Sequence, residues 1–232
     1  NNIISGSWDF VGADNDPTQP STCTSDEISN EDCGGHGTSI GGIIAAEGWN
    51  NKGVRGIAPK ASIFGYNYLE SQTTANFNES HGVNPTPGVT ADIYNLSFGP
   101  GYPTDDNGDE EARYNLPSFL SSALEATYES GVTNLRSGRG AIYVKSAGNA
   151  YDVQPTNVCG LGTPLSCTET SIDNDQGVPY IIPVAALDAN GVKTSYSTTG
   201  SSLWVSGFAG ENGGNQSVIG AQGYSLNNGI YE

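Results

Sequence analysis

This sequence is poor in basic residues and histidine, and it has no long apolar run. Its 8 Lys and Arg stand against 25 Asp and Glu, which gives a formal net charge of −17. Such a charge repels nucleic acid and anionic membranes, so neither is expected as a partner. No apolar run approaches the length of a membrane span. The acidity favours either simple solubility or the attraction of basic peptides.

Cysteine is also scarce, and the four that occur form two close pairs, Cys23 with Cys33 and Cys159 with Cys167. Neither spacing matches the Cys-x-x-Cys of a structural zinc site. Four cysteines allow three pairings, and local pairing within the two polar loops is favoured. Two such disulfides indicate a secreted or periplasmic protein. The alternative is four reduced, buried thiols.

Strand-like segments alternate with helical segments along most of the chain. Apolar and alternating runs predict strands at 7–10, 61–68, 92–98 and 141–147. Residues 70–90 lack periodicity and are predicted to form a long loop. The alternation predicts an α/β fold with a mostly parallel sheet and crossover helices. Because there is no internal repeat and no linker, residues 1–232 are expected to form a single domain.

Two helices are predicted. The first begins near His36 and runs to about Ala46, and its internal glycines indicate close packing of its backbone. The second places its apolar residues on one face at the helical period. Those residues are Leu116, Phe119, Leu120, Ala123, Leu124, Thr127 and Tyr128. Pro117 in the first turn and Gly131 just past the end are start and stop signals.

Two short motifs carry residue types that are used in acyl transfer. In 36–38 (His-Gly-Thr), a histidine stands where a glycine-rich turn becomes an apolar helix. In 146–149 (Ser-Ala-Gly-Asn), an amide side chain follows the C-terminal end of a predicted buried strand. That edge of a parallel sheet is where ligand sites collect. A histidine can act as a general base, and an amide can donate to an oxyanion.

Six segments in order resemble the subtilisin-like serine endopeptidases, and within them the kexin/furin-type branch. They are 6–10 with 14–17, 35–46, 56–59, 92–100, 141–149 and 180–186. The resemblance implies a three-layer fold with a mostly parallel central sheet flanked by helices. It also implies an endopeptidase that cleaves peptide bonds through an acyl-enzyme, with His36 as the general base and Asn149 as a donor to the oxyanion.

The same resemblance implies a substrate-binding segment and a first specificity pocket. The residues that would form its walls are Ser97, Phe98, Gly99, Ala147 and Gly148. Carboxylates at the pocket floor would meet Lys or Arg, and Asp105, Asp106 and Asp152 are the candidates. The alternative is that the acidic run 105–111 is a solvated loop. At 196–198 (Tyr-Ser-Thr), the acidic residue of the family's pocket-floor calcium site is missing.

A second calcium site is implied by 48–54, which follow the first helix and resemble the family's tight calcium loop. Asn50 would supply a side-chain oxygen, and Gly48, Lys52 and Val54 would supply backbone carbonyls. The family's carboxylate for this site lies upstream of the first residue. The alternative is an ordinary Asn-rich turn.

The family's catalytic Asp and Ser motifs do not occur in residues 1–232. Ser39 is no substitute because it lies in the helix of His36, and Asp9 lacks the glycine turn that follows the catalytic Asp. The chain is therefore interpreted as the middle of one catalytic domain, cut at both ends and inactive alone. Its partners would be protein or peptide substrates and a propeptide or accessory domain. The rival hypothesis is a catalytically inactive binding or scaffold module with the same fold.

Two further features are interpreted as having no function. His81 lies in the unpatterned loop and is assigned no role. Glycosylation triplets begin at Asn78, Asn95 and Asn215, and chance matches are expected in an Asn-rich chain. Asn95 is predicted to be buried within its strand.

Overall fold

The structure is a computed structural model that describes residues 4–17, 35–86, 88–99, 119–149, 151 and 169–211. The described residues up to Thr90 belong to one compact unit, and those from Ala91 onward belong to a second. In the part of the chain that is described, no helix has both the length and the apolar content to cross a membrane.

The first unit contains the predicted His36 helix, α1, which spans Gly35–Ala45. The backbone N–H groups of Gly56, Ile57 and Ala58 donate to carbonyls in or just after its last turn at 2.8–2.9 Å. These carbonyls have no partner within the helix. The Gly-Ile-Ala-Pro segment therefore caps the C-terminus of α1, which explains its place directly after the helix in the sequence.

Two strands predicted in this unit are wrong in extent. Residues 7–10 and 61–68 form isolated bridges rather than regular strands, with Trp8 paired in parallel to Tyr66. The segments still run side by side, because the N–H groups of Ile4 and Trp8 donate to the carbonyls of Ile63 and Gly65 at 3.0 Å.

The predicted loop 70–90 also contains regular structure. A 3₁₀ turn spans Tyr68–Glu70, and the short helix α2 spans Thr74–Ser80. Thr73 caps α2 by accepting a hydrogen bond from the Asn76 N–H at 3.1 Å. The periodicity was undetectable because α2 buries only Phe77 and Ser80 of its seven residues.

The second unit is built on a four-stranded parallel sheet. Its strands are β1 (Ile93–Leu96), β2 (Ile142–Ser146), β3 (Ile181–Leu187) and β4 (Val205–Phe208), paired in the order β1-β2-β3-β4. All three pairings are parallel. The predicted α/β fold with a parallel sheet and flanking helices is confirmed.

One face of this sheet is buried in rows that cross the strands. Tyr94, Tyr143 and Ile181 form one row, and Leu96, Lys145 and Pro183 form the next. Alternate residues point to opposite faces of a strand, so these rows share a face. A lysine thus takes a position that its neighbours on both strands fill with apolar side chains.

The helix α3 spans Ser122–Gly138 and connects β1 to β2. It begins six residues later than predicted, with Ser121 as its cap, and Phe119 is 86% exposed rather than on the buried face. Gly131 lies inside α3 and not past its end. A Cβ there would be 2.6 Å from Cζ of the buried Tyr143, so the glycine permits close packing of the helix on the sheet.

Candidate active site

Two segments of predicted function emerge at one edge of the sheet. Residues 97–99 follow the last residue of β1, and 147–149 follow the last residue of β2. Because Leu96 is in register with Lys145, both segments leave the sheet at its C-terminal edge as neighbours. The structure therefore brings the predicted substrate-binding segment next to the predicted oxyanion segment.

The turn after β2 is fixed by hydrogen bonds to later parts of the chain. The N–H of Ala147 donates to the carbonyl of Val184 at 2.9 Å, and the Thr198 N–H donates to the Gly148 carbonyl at 3.0 Å. Gly148 has φ +88°, a conformation that glycine adopts without strain. Asn149 is exposed after this turn, where its amide can meet a ligand from solvent.

The turn after β1 carries Ser97, Phe98 and Gly99, of which only the glycine is fully exposed. Asn95 donates from Nδ2 to Oγ of Ser97 at 2.9 Å. The prediction that Asn95 is buried is wrong, because it lies on the exposed face of β1. Its side chain instead fixes the hydroxyl of Ser97, at the start of the predicted substrate-binding segment.

Sequence reasoning missed a buried ion pair beneath this edge. Lys145 is 1% exposed, and its Nζ lies 3.4 Å from Oδ2 of Asp175. The same ammonium donates to the Phe98 carbonyl and lies 4.9 Å from the centroid of the Phe98 ring. The signal was present, since a lysine inside an apolar strand requires a buried partner.

Asp175 is also largely buried, in the segment that precedes β3. Burial raises the pKa of this carboxyl above its ordinary value, and the Lys145 ammonium opposes that rise. Its Oδ1 has no hydrogen-bond partner among the described residues. The carboxylate therefore depends on Lys145 for the stabilisation of its charge.

His36 lies in the first unit, at the second residue of α1, and it is exposed. Its imidazole is thus open to a ligand. Ser39 follows one turn later and is half-buried in the same helix.

The carboxylate of Asp9 stabilises a turn in the first unit. The N–H groups of Gly12 and Val11 donate to its carboxylate and hold its pKa below the ordinary value. Asn67 donates to the same group, and the backbone of Asp9 pairs with Asp14. These contacts account for the carboxylate without a catalytic role.

The proposed calcium loop is compact and has an alternating backbone. Trp49, Asn51 and Gly53 have φ of 65°, 62° and 50°. Oδ1 of Asn50 accepts a hydrogen bond from the Lys52 N–H at 3.1 Å, which leaves one of its two lone pairs. Amide and carbonyl oxygens are ligands that calcium prefers, so the donor types of this loop fit the ion. The described residues contain no cluster of three or more His, Cys, Asp or Glu for a metal.

Several predicted residues lie outside the described part of the chain. They are the pocket-floor candidates Asp105, Asp106 and Asp152, the cysteines Cys23, Cys33, Cys159 and Cys167, and the glycosylation candidate Asn215.

His81 is a structural residue at the end of α2. It is 1% exposed and stacks on Phe77 with ring centroids 3.9 Å apart. Its Nδ1 lies 2.8 Å from the Phe77 carbonyl and 3.0 Å from Oγ of Ser80.

Comparison with known proteins identifies the family of this chain. A family model described as the subtilase family matches residues 9–231. The chain belongs to the subtilase family. Its pairing of a Ser-Ala-Gly-Asn turn with the segment 97–99 is thus part of a subtilase fold.

Three relatives of this subtilase illustrate the range of the family. The extracellular serine protease of Aeromonas sobria is 28% identical over 219 residues, 91% of this chain and 32% of the relative. The dibasic-processing endoprotease of Schizosaccharomyces pombe is 30% identical over 183 residues, 78% of this chain and 23% of the relative. A calcium-dependent protease of Trichormus variabilis is 26% identical over 181 residues, 77% of this chain and 24% of the relative.

A solved structure supports the same assignment. The Aeromonas sobria protease in complex with its chaperone, ORF2, matches with a TM-score of 0.70 at 28% identity, over 93% of this chain and 34% of that chain. This subtilase sequence spans about a third or less of the length of the relatives described here.

Proposed function

We propose that this chain is the central part of the catalytic domain of a secreted serine endopeptidase. The observation that carries the proposal is the meeting of 97–99 and 147–149 at the C-terminal edge of β1 and β2 within a subtilase sequence. In this proposal residues 1–232 belong to one catalytic domain, and the family's Asp and nucleophilic Ser are supplied by residues beyond these 232.

The chemistry follows from the residue types. His36 takes the proton of the serine hydroxyl as it attacks the substrate carbonyl, and returns it to the leaving amine. The Asn149 amide donates to the oxygen of the tetrahedral intermediate, where negative charge develops. The backbone of 97–99 pairs with the extended substrate, and Ala147 and Gly148 face it across the first pocket.

A serine-reactive fluorophosphonate tests this function. The protein in its natural full-length form is expected to be labelled, and labelling should fall when an excess of peptide substrate is present. The 232-residue chain alone is expected to stay unlabelled because it has no nucleophile motif. A full-length protein that folds but takes up no probe would contradict the proposal and would favour an inactive binding module.

We further propose that basic residues are favoured before the cleaved bond. The net charge of −17 attracts basic peptides, and the Schizosaccharomyces pombe relative is named for dibasic processing. Asp105, Asp106 and Asp152 are the proposed receptors. Peptides that differ only by Arg or Ala at this position would decide the point, and equal kcat/KM values would reject the preference.

Secretion and a folding partner are proposed on similar grounds. One relative is named an extracellular protease, and a related structure contains a chaperone. The two proposed local disulfides, Cys23–Cys33 and Cys159–Cys167, would suit an oxidising compartment. Peptide mapping of the secreted protein without reduction would test both pairs.

Calcium is proposed as a stabilising ion held by Asn50 and by the carbonyls of Gly48, Lys52 and Val54. The left-handed backbone of Trp49 is unfavourable for a bulky residue, and oxygen–calcium contacts would offset that cost. A carboxylate ligand would have to come from outside this loop.

Removal of calcium is expected to lower the melting temperature. An ion present at about 100 times its Kd adds about 2.7 kcal/mol, equivalent to about 5–10 °C for a domain of this size. Calorimetry with and without EDTA would measure the shift, and Asn50→Ala should abolish most of it. Asp188→Ala is the matched control, because it removes similar side-chain to backbone hydrogen bonds in the turn after β3. It should leave the effect of EDTA unchanged. An unchanged melting temperature with EDTA would reject the site.

A further inference from the structure

Lys145 takes a position on β2 where an apolar residue is expected. It lies in the buried row between Leu96 on β1 and Pro183 on β3, and it is 1% exposed. Burial removes the water that normally stabilises an ammonium, so each of its donors must find a partner in the protein. Two of these partners are the carboxylate of Asp175 and the backbone carbonyl of Phe98.

The ammonium of Lys145 connects two parts of the chain that come together only in the folded unit. On one side lies Asp175, with its Oδ2 at 3.4 Å. On the other side lies the substrate-binding segment, where the Phe98 carbonyl accepts a hydrogen bond from Nζ and the Phe98 ring lies 4.9 Å away. A Cβ at Gly99 would be 3.9 Å from the same Nζ. The ammonium therefore contacts the middle residue of the segment and lies close to the backbone of the residue that follows it.

The opposite charges of Lys145 and Asp175 balance each other within the pair. Lys145 contributes the positive charge that Asp175 requires, while Asp173 is a second carboxylate close enough to act on Asp175 unfavourably. Because the ammonium and the Asp175 carboxylate neutralise each other, this carboxylate is not available to receive a basic substrate side chain. Recognition of a basic residue would then rest on carboxylates elsewhere.

We infer that Lys145 is a positioning residue that holds the Phe98 carbonyl through an ammonium anchored on Asp175, and so sets the binding position of segment 97–99. The inference rests on the proposed peptidase function for the identity of the ligand, an extended peptide. A carbonyl fixed in this way orients the peptide groups on either side of it, which are the groups that pair with substrate. Preorganisation of this kind increases affinity by reducing the cost of ordering on binding.

The test uses the natural full-length protein and uncleavable hexapeptides in which the scissile amide is reduced to a methylene-amine, with Arg or Ala before it. Lys145→Met should weaken binding about five- to thirty-fold, which is the cost of ordering the backbone of about one residue when the peptide binds. It should also lower the melting temperature, since Asp175 remains buried without its cation. The rate of fluorophosphonate labelling should change less, because that probe does not need an extended pairing segment.

A double variant separates positioning from stability. Lys145→Met with Asp175→Asn removes both charges, so the melting temperature should recover, but peptide binding should remain about five- to thirty-fold weaker. Binding that recovers together with stability would overturn the inference. If the double variant does not fold, Asp175→Asn alone decides. It keeps Lys145 but removes the carboxylate that anchors its ammonium, so peptide binding should fall by about three- to tenfold. Binding equal to that of the wild type would overturn the inference.

Lys193→Met is the matched control. Its Nζ also donates to backbone carbonyls, but these are the carbonyls of Thr194 and Ser197, which lie outside 97–99. It should leave peptide affinity unchanged. Wild-type protein that binds the hexapeptides but takes up no fluorophosphonate would refute the proposed function and leave this inference intact. Wild-type protein that binds neither hexapeptide would overturn the inference itself.

Discussion

Replacing His36 with alanine is expected to reduce peptide turnover by a factor on the order of 10⁶, a magnitude measured in subtilisin itself rather than derived from this structure. The reason is that no other group would take the proton from the nucleophile. Steady-state kcat of the natural full-length protein on a chromogenic peptide would measure the loss. Folding should be unaffected, because the imidazole is exposed at the start of α1.

Ser39→Ala is the control for this experiment. Ser39 lies in the same helix, so the variant tests whether any change in α1 impairs activity. It also tests the interpretation that Ser39 is not a nucleophile. Activity within about twofold of wild type is expected. The Ser39 hydroxyl is only half-buried, and its removal should change the stability of the protein little. A His36→Ala variant with near-normal turnover would remove the general-base assignment.

Asn149→Ala is expected to lower kcat about 10²–10³-fold with little change in KM, and this range too comes from removal of the corresponding donor in subtilisin. The amide would act only when charge develops on the oxygen, so the ground-state complex should be nearly unchanged. The turn that carries Asn149 is fixed by the hydrogen bonds of Ala147 and Gly148, which the variant leaves in place.

Comparison of kcat with binding decides the role of Asn149. Binding of the uncleavable hexapeptides should stay within about threefold of wild type, which is under 1 kcal/mol. Asn134→Ala, on the exposed surface of α3, is the matched amide-to-methyl control and should leave both quantities unchanged. If peptide binding falls as far as kcat, Asn149 contributes to ground-state binding and the oxyanion assignment is wrong.

The parallel sheet was predictable because its strands are short apolar runs separated by a helical pattern. The bounds of β1 and β2 fall within the predicted 92–98 and 141–147. Helix bounds were less accurate because local signals compete with tertiary packing. Gly131 resembles a stop signal in the sequence, but in the folded unit it is the residue that lets α3 approach Tyr143.

The candidate site was predictable as a set of motifs and less so as a set of contacts. The sequence placed 97–99 and 147–149 after two strands, and parallel pairing brings them to one edge. The Lys145–Asp175 pair was missed because its members are 30 residues apart and belong to no motif. Only the fold reveals which carboxylate a buried lysine meets. The exposure of Asn95 was predicted wrongly because a shift of one residue along a strand moves a side chain to the opposite face of the sheet.

The order of the sheet has a consequence for how this subtilase folds during synthesis. Each described strand pairs with the strand that follows it in the sequence, so β1, α3 and β2 can assemble as soon as residue 146 has emerged from the ribosome. The turn that carries Asn149 is different. Its Ala147 N–H awaits the carbonyl of Val184, and its Gly148 carbonyl awaits the N–H of Thr198. The turn at 147–149 is thus made early but fixed some fifty residues later, and in a nascent chain this edge of the sheet would stay unfinished until β3 and the segment beyond it are in place.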